Sequence, residues 1–201
     1  MDLFFMPGAC SLAPHIVLRE ASLPFDLKQV SRQKKFDDRQ DYLAVVSKGY
    51  VPALRLRDGT VITEGPAIVQ YIADLAPDKK LLPEPRTLGR TQTQSWLNYI
   101  STELHKSCAP LFRTDISEPH RAYQLAYLHR QLRWTQDALG TRPYVHGDAF
   151  TVADAYLFTV LRWMPLLKID MAPYAQLSRY MLGIGSRPAV GDALRAEGLK
   201  A

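Results

Sequence analysis

Cys10 is the residue best placed to do covalent chemistry, set between the Pro7-Gly8 turn and a run of helical spacing that starts at Ser11. A helix N-terminus offers unbonded N–H groups and a partial positive charge, and both favour a thiolate over a thiol of ordinary pKa ~8.5. Ser11 puts a hydroxyl donor beside it. Two readings stay open here, a reactive thiolate or a small buried hydrophobe. Residue 13 is Ala, so the spacing is not Cys-x-x-Cys and a dithiol cycle within one motif is excluded.

Three further constellations carry chemistry. Val51-Pro52 follows the Lys48-Gly49-Tyr50 turn and opens a strand, where a proline's missing N–H is tolerated. A cis bond there would turn the Val51 backbone outward to pair with an extended ligand, and the sequence leaves the isomer open. Thr63-Glu64-Gly65 stands where a strand runs into a helix. The helix N–H groups make an anion site and Glu64 can grip an ammonium group, which suits a zwitterionic amino-acid end. Plain helix capping accounts for the same residues. Asn98 and His105 are seven apart, two α-helical turns on one face, although His105 reads equally as a satisfied interfacial histidine. The other histidines stand at no metal-ligand spacing, so no metal site is expected. No Gly-x-Gly-x-x-Gly, P-loop, Gly-x-Ser-x-Gly or His-Glu-x-x-His motif occurs.

The elements that must hold these residues change character along the chain. Residues 2–6 (DLFFM) and 25–30 read as strands, with helical spacing between them from 11 to 21. Residues 53–57 and 60–63 form a hairpin about Asp58-Gly59, and 64–75 carry a helical apolar face. Three prolines in 76–86 mark a break. Everything beyond reads as helix: 87 to about 111, Ser117 to Gly140, a segment from Thr151 apolar on nearly every side, then 174–183 and 189–197. Thr151 and Asp154 fit a variant capping box, with Phe150 as a staple. The expected organisation is an α/β domain over 1–79, a linker over 80–86 and an all-helical domain over 87–201.

With 47% hydrophobic and 22% charged residues, the 201-residue chain has an ordinary globular composition. Its formal charge of +5 comes from scattered single Lys and Arg, with no basic block interleaved with aromatics, so nucleic acid is not an expected partner. Apolar runs fall far short of the ~20 residues that span a bilayer. No secretory signal is expected at the N-terminus, and two cysteines make no disulfide framework; both point to the cytoplasm.

Taken in order, Pro7-Gly8-Ala9-Cys10-Ser11, Val51-Pro52-Ala53-Leu54, Thr63-Glu64-Gly65, Trp96-Leu97-Asn98-Tyr99-Ile100, Glu103-Leu104-His105-Lys106 and Phe150-Thr151-Val152-Ala153-Asp154-Ala155-Tyr156 resemble the glutathione S-transferase superfamily, and within it the bacterial beta class. The likeness runs from end to end. It implies a thioredoxin-like N-terminal domain, an all-helical C-terminal domain and a homodimer, with glutathione as co-substrate and no metal. It further implies that Cys10 meets the glutathione sulfur and can form a mixed disulfide with it, while His105 polarises the thiols. Val51, before a cis Pro52, would pair with the cysteinyl unit. Glu64 and Gly65 would hold the γ-glutamyl end, Lys35 the glycyl carboxylate, and Asn98 would support the site. Glu103 and Lys106 match glutathione-binding positions near the dimer interface, which would reach the partner's ligand. Thr151 and Asp154 match a capping motif that serves folding. Arg162 and Trp163 are the expected neighbours of a small hydrophobic electrophile.

Three positions depart from common family patterns. Phe5 replaces a tyrosine, which sharpens the beta-class likeness because that hydroxyl is not the main catalytic group there. Gly65 replaces a serine, keeping an N–H but losing a hydroxyl, and Tyr50 replaces a glutamine. The expected activity is conjugation of glutathione to small hydrophobic electrophiles, with Cys10-dependent thiol–disulfide exchange as a second reaction. A glutaredoxin-like oxidoreductase and a non-catalytic ligand-binding member of the fold are the alternatives.

Overall fold

A computed structural model describes residues 1–37 and 39–200. They form two units: Met1–Leu82 together with Gly185–Ala201, and Pro83–Ile184.

The first unit is built on a four-stranded sheet. Strand β1 (Asp2–Phe5) leads into helix α1 (Leu12–Glu20) and strand β2 (Asp26–Gln29). Strand β3 (Lys35–Phe36), β4 (Gln40–Asp41) and the single turn α2 (Tyr42–Val45) follow, then β5 (Ala53–Arg55), β6 (Val61–Thr63) and helix α3 (Gly65–Asp74). The sheet order is β2-β1-β5-β6, and β3 pairs with β4 apart from it. Strands β1 and β2 are parallel with Phe4 opposite Lys28, which requires the helical crossover that α1 supplies. β5 runs antiparallel to both β1 and β6, with Ala53 opposite Phe4 and Thr63.

Period-two alternation in DLFF sends Phe4 to one face and Leu3 and Phe5 to the other. Phe4 joins a buried cluster with Val30, Phe36, Tyr42, Val46 and Ala53, its ring edge-on to Phe36 at 5.0 Å. Phe5 faces His15 of α1 on the opposite side. The short β3, β4 and α2 segments did not stand out in the sequence, because two-residue strands carry no period. They exist because Phe36 and Tyr42 must close the Phe4 cluster.

The second unit contains α4 (Leu88–Tyr99), a π-helical segment (Ile100–His105), α5 (Lys106–Cys108), α6 (Glu118–Leu139), α7 (Val152–Leu161) and most of α8 (Ala175–Gly185). Every residue of α7 is buried, as its all-round apolar pattern predicts. In its first turn, the Asp154 carboxylate accepts from the Thr151 N–H and hydroxyl, the Val145 N–H and the Tyr180 hydroxyl at 2.8–3.0 Å.

Sequence reading assigned residues 87–201 to one helical domain. The last helix, α9 (Pro188–Ala196), instead packs on α1 in the first unit. The chain changes unit between Ile184 and Gly185, at the end of α8 and just before the Ser186-Arg187-Pro188 break. Arg187 forms a two-pronged ion pair with Glu20 at 2.6 and 2.9 Å, and His15 binds Glu197. Helical periodicity reports that α9 has an apolar face but not which partner covers it.

Candidate active site

In the first unit the chain turns at Gly8, which has φ +71°, and sets Cys10 just before Ser11, the N-cap of α1. The half-buried Cys10 thiol donates to the Val51 carbonyl at 3.2 Å. Burial pushes this thiol up to about 11, outweighing the stabilising N–H groups of Cys10 and Ser11, and the Glu64 carboxylate adds to the rise. The thiolate expected from the helix terminus is therefore not the resting form: desolvation wins. Ser11 is fully buried. Its hydroxyl donates to the Met6 carbonyl and accepts from the Met6 N–H, both at 3.2 Å, so its one proton is directed at Met6 rather than at Cys10.

The Val51-Pro52 bond is cis. Three successive carbonyls leading into it each accept a side-chain donor. Lys34 Nζ reaches the Gly49 oxygen at 2.7 Å, the buried Tyr42 hydroxyl reaches that of Tyr50 at 2.7 Å, and Cys10 reaches that of Val51. The loop edge is thus fixed by Lys34, just before β3, by Tyr42 of α2 and by Cys10. Among the described residues none accepts from the Val51 N–H. Lys34 and Tyr42 escaped sequence reading because neither belongs to a periodic element.

Glu64 caps α3 in the left-handed region at φ +71°, a conformation worth about 1–3 kcal/mol of strain in a non-glycine residue and one that recurs at ligand clamps. Its exposed carboxylate pairs with Lys48 Nζ at 2.7 Å. Gly65 opens the helix, and a Cβ placed there would meet Pro52 Cγ at 3.7 Å, an ordinary contact. Lys35 lies exposed on β3 with its ammonium 3.5 Å from Asp41. Cys10, Val51, Pro52, Glu64, Gly65 and Lys35 all belong to this unit.

In the second unit His105 ends the π-helical segment, where the Lys106 N–H bonds five residues back to the Ser101 carbonyl. Such wide turns are often found at functional sites. One inserted residue rotates His105 by about 100° from the position an unbroken α-helix would give it relative to Asn98. The one-face argument for that pair therefore fails, and Asn98 is exposed while His105 is largely covered. His105 Nδ1 lies 2.7 Å from the Tyr156 hydroxyl, and its ring stands edge-on to Trp163 at 4.9 Å. Phe112 also stands edge-on to Trp163 at 5.9 Å. Burial pushes His105 down to about 4, helped by the charge of Lys106, so the ring is neutral near pH 7.

Of the remaining predicted residues, Glu103 accepts from the Tyr127 hydroxyl and Lys106 is exposed. Arg162 caps α7 with its guanidinium over Phe158 at 5.7 Å, and Trp163 is buried. Tyr156, one turn into the fully buried α7, enters the site through His105, and its place on that helix is the sequence signal for it. Among the described residues no group of three or more His, Cys, Asp or Glu side chains could hold a metal ion. No helix of the described chain is long and apolar enough to cross a membrane.

Residues 8–75 match the family model for the glutathione S-transferase N-terminal domain, and residues 102–183 match that for the C-terminal domain. The chain belongs to the glutathione S-transferase family. It is 48% identical to the glutathione S-transferase GstA of Escherichia coli O157:H7 over the full length of both chains. The sphingomonad glutathione S-transferase solved in complex with glutathione shares 42% identity and superposes with a TM-score of 0.95, each chain covered completely. The beta-class enzyme of Sphingomonas chungbukensis gives the same identity, score and coverage. The chain is accordingly a glutathione transferase of bacterial beta-class type, with the two-part fold of that family.

Proposed function

We propose that this glutathione transferase binds glutathione along the Val51 edge of its first unit and joins it to small hydrophobic electrophiles. The observation that carries the reading is the 3.2 Å hydrogen bond from Cys10 to the Val51 carbonyl beside the cis Pro52. It supports a site where an extended peptide pairs with the open Val51 N–H while its cysteinyl sulfur comes to rest near Cys10. A carbonyl oxygen has two lone pairs, so the same Val51 oxygen can accept from a ligand N–H and from Cys10. Glu64 would take the γ-glutamyl ammonium, the Gly65 N–H its carboxylate, and Lys35 the glycyl carboxylate.

In conjugation the glutathione sulfur attacks an electrophilic carbon. A C–S bond forms, the bond to the leaving group breaks, and the thiol proton passes to solvent. We assign to His105 the polarising role, with Tyr156 orienting its ring, and assign Arg162 and Trp163 to the electrophile. Asn98, Glu103 and Lys106 retain supporting roles, Glu103 and Lys106 at a homodimer interface, and the cytoplasm is the proposed location. Thr151 and Asp154 serve folding.

Exchange is the second reaction. Cys10, once deprotonated, attacks oxidised glutathione, forming a mixed disulfide and releasing one glutathione thiolate. Replacing Cys10 by Ala separates the two: exchange with oxidised glutathione should vanish while conjugation of 1-chloro-2,4-dinitrobenzene stays measurable. Equal loss of both, with glutathione still bound, would contradict this division of labour. Glutathione binding with no turnover over a broad electrophile panel would favour a ligand-binding role instead.

A further inference from the structure

The loop that carries Cys10 is held from behind by the end of the chain. Glu197, the residue that closes α9, is almost fully buried. One carboxylate oxygen accepts from the Gly8 N–H at 2.9 Å, two residues before Cys10. The other lies 2.8 Å from Nδ1 of the fully buried His15, whose Nε2 receives Arg19 Nε–H at 2.9 Å. An arginine nitrogen only donates, so His15 Nε2 is the lone-pair nitrogen and Nδ1 carries the proton given to Glu197. The sequence of donors is fixed: Arg19 to His15, His15 to Glu197, and Gly8 to Glu197.

The chain end is shaped for this contact. Gly198, at φ +70°, closes α9 with Gly198 N–H to the Arg195 carbonyl and Leu199 N–H to the Leu194 carbonyl, a Schellman motif that needs a left-handed residue. That turn carries Leu199 back over Gly8, where its methyl groups lie 3.6 and 3.8 Å from an added Cβ. All these residues lie within the first unit.

We propose that Glu197 is a positioning residue for Cys10, fixing the Pro7–Cys10 loop through the Gly8 N–H, with His15 and Arg19 fixing Glu197. The inference rests on the site reading above. It predicts an electronic specificity that plain packing lacks. In Glu197→Gln the amide oxygen can accept from Gly8, but the amide NH2 then faces His15 Nδ1–H. Switching the His15 tautomer relieves that clash and turns Nε2–H against Arg19. Removing Arg19 frees the ring to switch.

The test measures Cys10 alkylation by iodoacetamide, located by peptide mapping, and conjugation kcat and KM, in native protein, Glu197→Gln, Arg19→Ala, the double variant and Arg187→Met. The last removes the neighbouring α9–α1 ion pair without touching Gly8. Glu197→Gln should change the alkylation rate at least threefold and lower kcat by about tenfold, with KM for glutathione altered less. The double variant should return to within about twofold of Arg19→Ala, and Arg187→Met should match native protein. Native behaviour of Glu197→Gln, no rescue in the double variant, or an equal effect of Arg187→Met would overturn the proposal. Should Glu197→Gln fail to fold, Arg19→Ala/Glu197→Gln against Arg19→Ala alone still decides. Whether glutathione protects native Cys10 from alkylation tests the site reading separately, since the loop effect is read without glutathione.

Discussion

His105 Nδ1 and the Tyr156 hydroxyl stand 2.7 Å apart at the junction of the π-helical segment with α7, and Trp163 covers the histidine ring. Burial, helped by the charge of Lys106, keeps this imidazole neutral near pH 7, while the hydroxyl bonds one of its ring nitrogens. A neutral ring can accept or donate a hydrogen bond to a thiol but offers it no full charge.

That has a pH consequence with a definite sign. The ordinary histidine pKa is 6.5 and burial moves His105 to about 4, so between those values the unfolded chain binds the extra proton. The contribution of His105 to stability is fully present above about 6.5 and is lost as pH falls towards 4. An NMR titration of the ring should give a midpoint well below 6, with urea midpoints falling over the same window. A midpoint at the ordinary value would show that the pocket is wetter than the structure indicates.

Cys10 titrates in the opposite sense. With its thiol held up at about 11 by burial, the free protein keeps it protonated at neutral pH. Alkylation by iodoacetamide should climb about tenfold per pH unit from neutral through mildly alkaline pH, with no plateau there. A plateau near neutrality would mean that the helix terminus wins over desolvation after all.

Gly65 gives a gain-of-affinity prediction. Its φ is outside the left-handed region and the space beside Pro52 admits a Cβ at 3.7 Å, so Gly65→Ser should fold normally. The added hydroxyl restores a donor at the γ-glutamyl position, which should lower KM for glutathione about three- to tenfold with little change in kcat. An unchanged or higher KM would remove Gly65 from the binding site.

Asp154 should matter to stability and not to chemistry. Four donors converge on its buried carboxylate, although burial itself raises its pKa. Asp154→Ala should cost about 3 kcal/mol, read from the urea midpoint, because Val145, Thr151 and Tyr180 lose their shared acceptor. Conjugation kcat per folded molecule should survive, and a selective loss of kcat would assign Asp154 a functional role instead.

The sequence by itself determined the elements with a period and the motifs with a local cause. The DLFF strand, the Asp58-Gly59 hairpin, the all-apolar α7 and the Thr151–Asp154 cap are set by neighbours within a few residues, so they were legible. The order of the family motifs identified a glutathione transferase for the same reason, since each motif is a contiguous run. Tertiary structure decided what depends on distant partners. Desolvation of Cys10 and His105 depends on what covers them, and it reversed the pKa expected for one. The π-helical segment, which no periodicity in the sequence announces, broke the Asn98–His105 face. Ser11 turned to Met6, and α9 crossed back to α1, bringing Glu197 beside Gly8 from 189 residues away. Periodicity sees the faces of helices and the ends of strands; burial and long-range hydrogen bonds set the state of the groups that react.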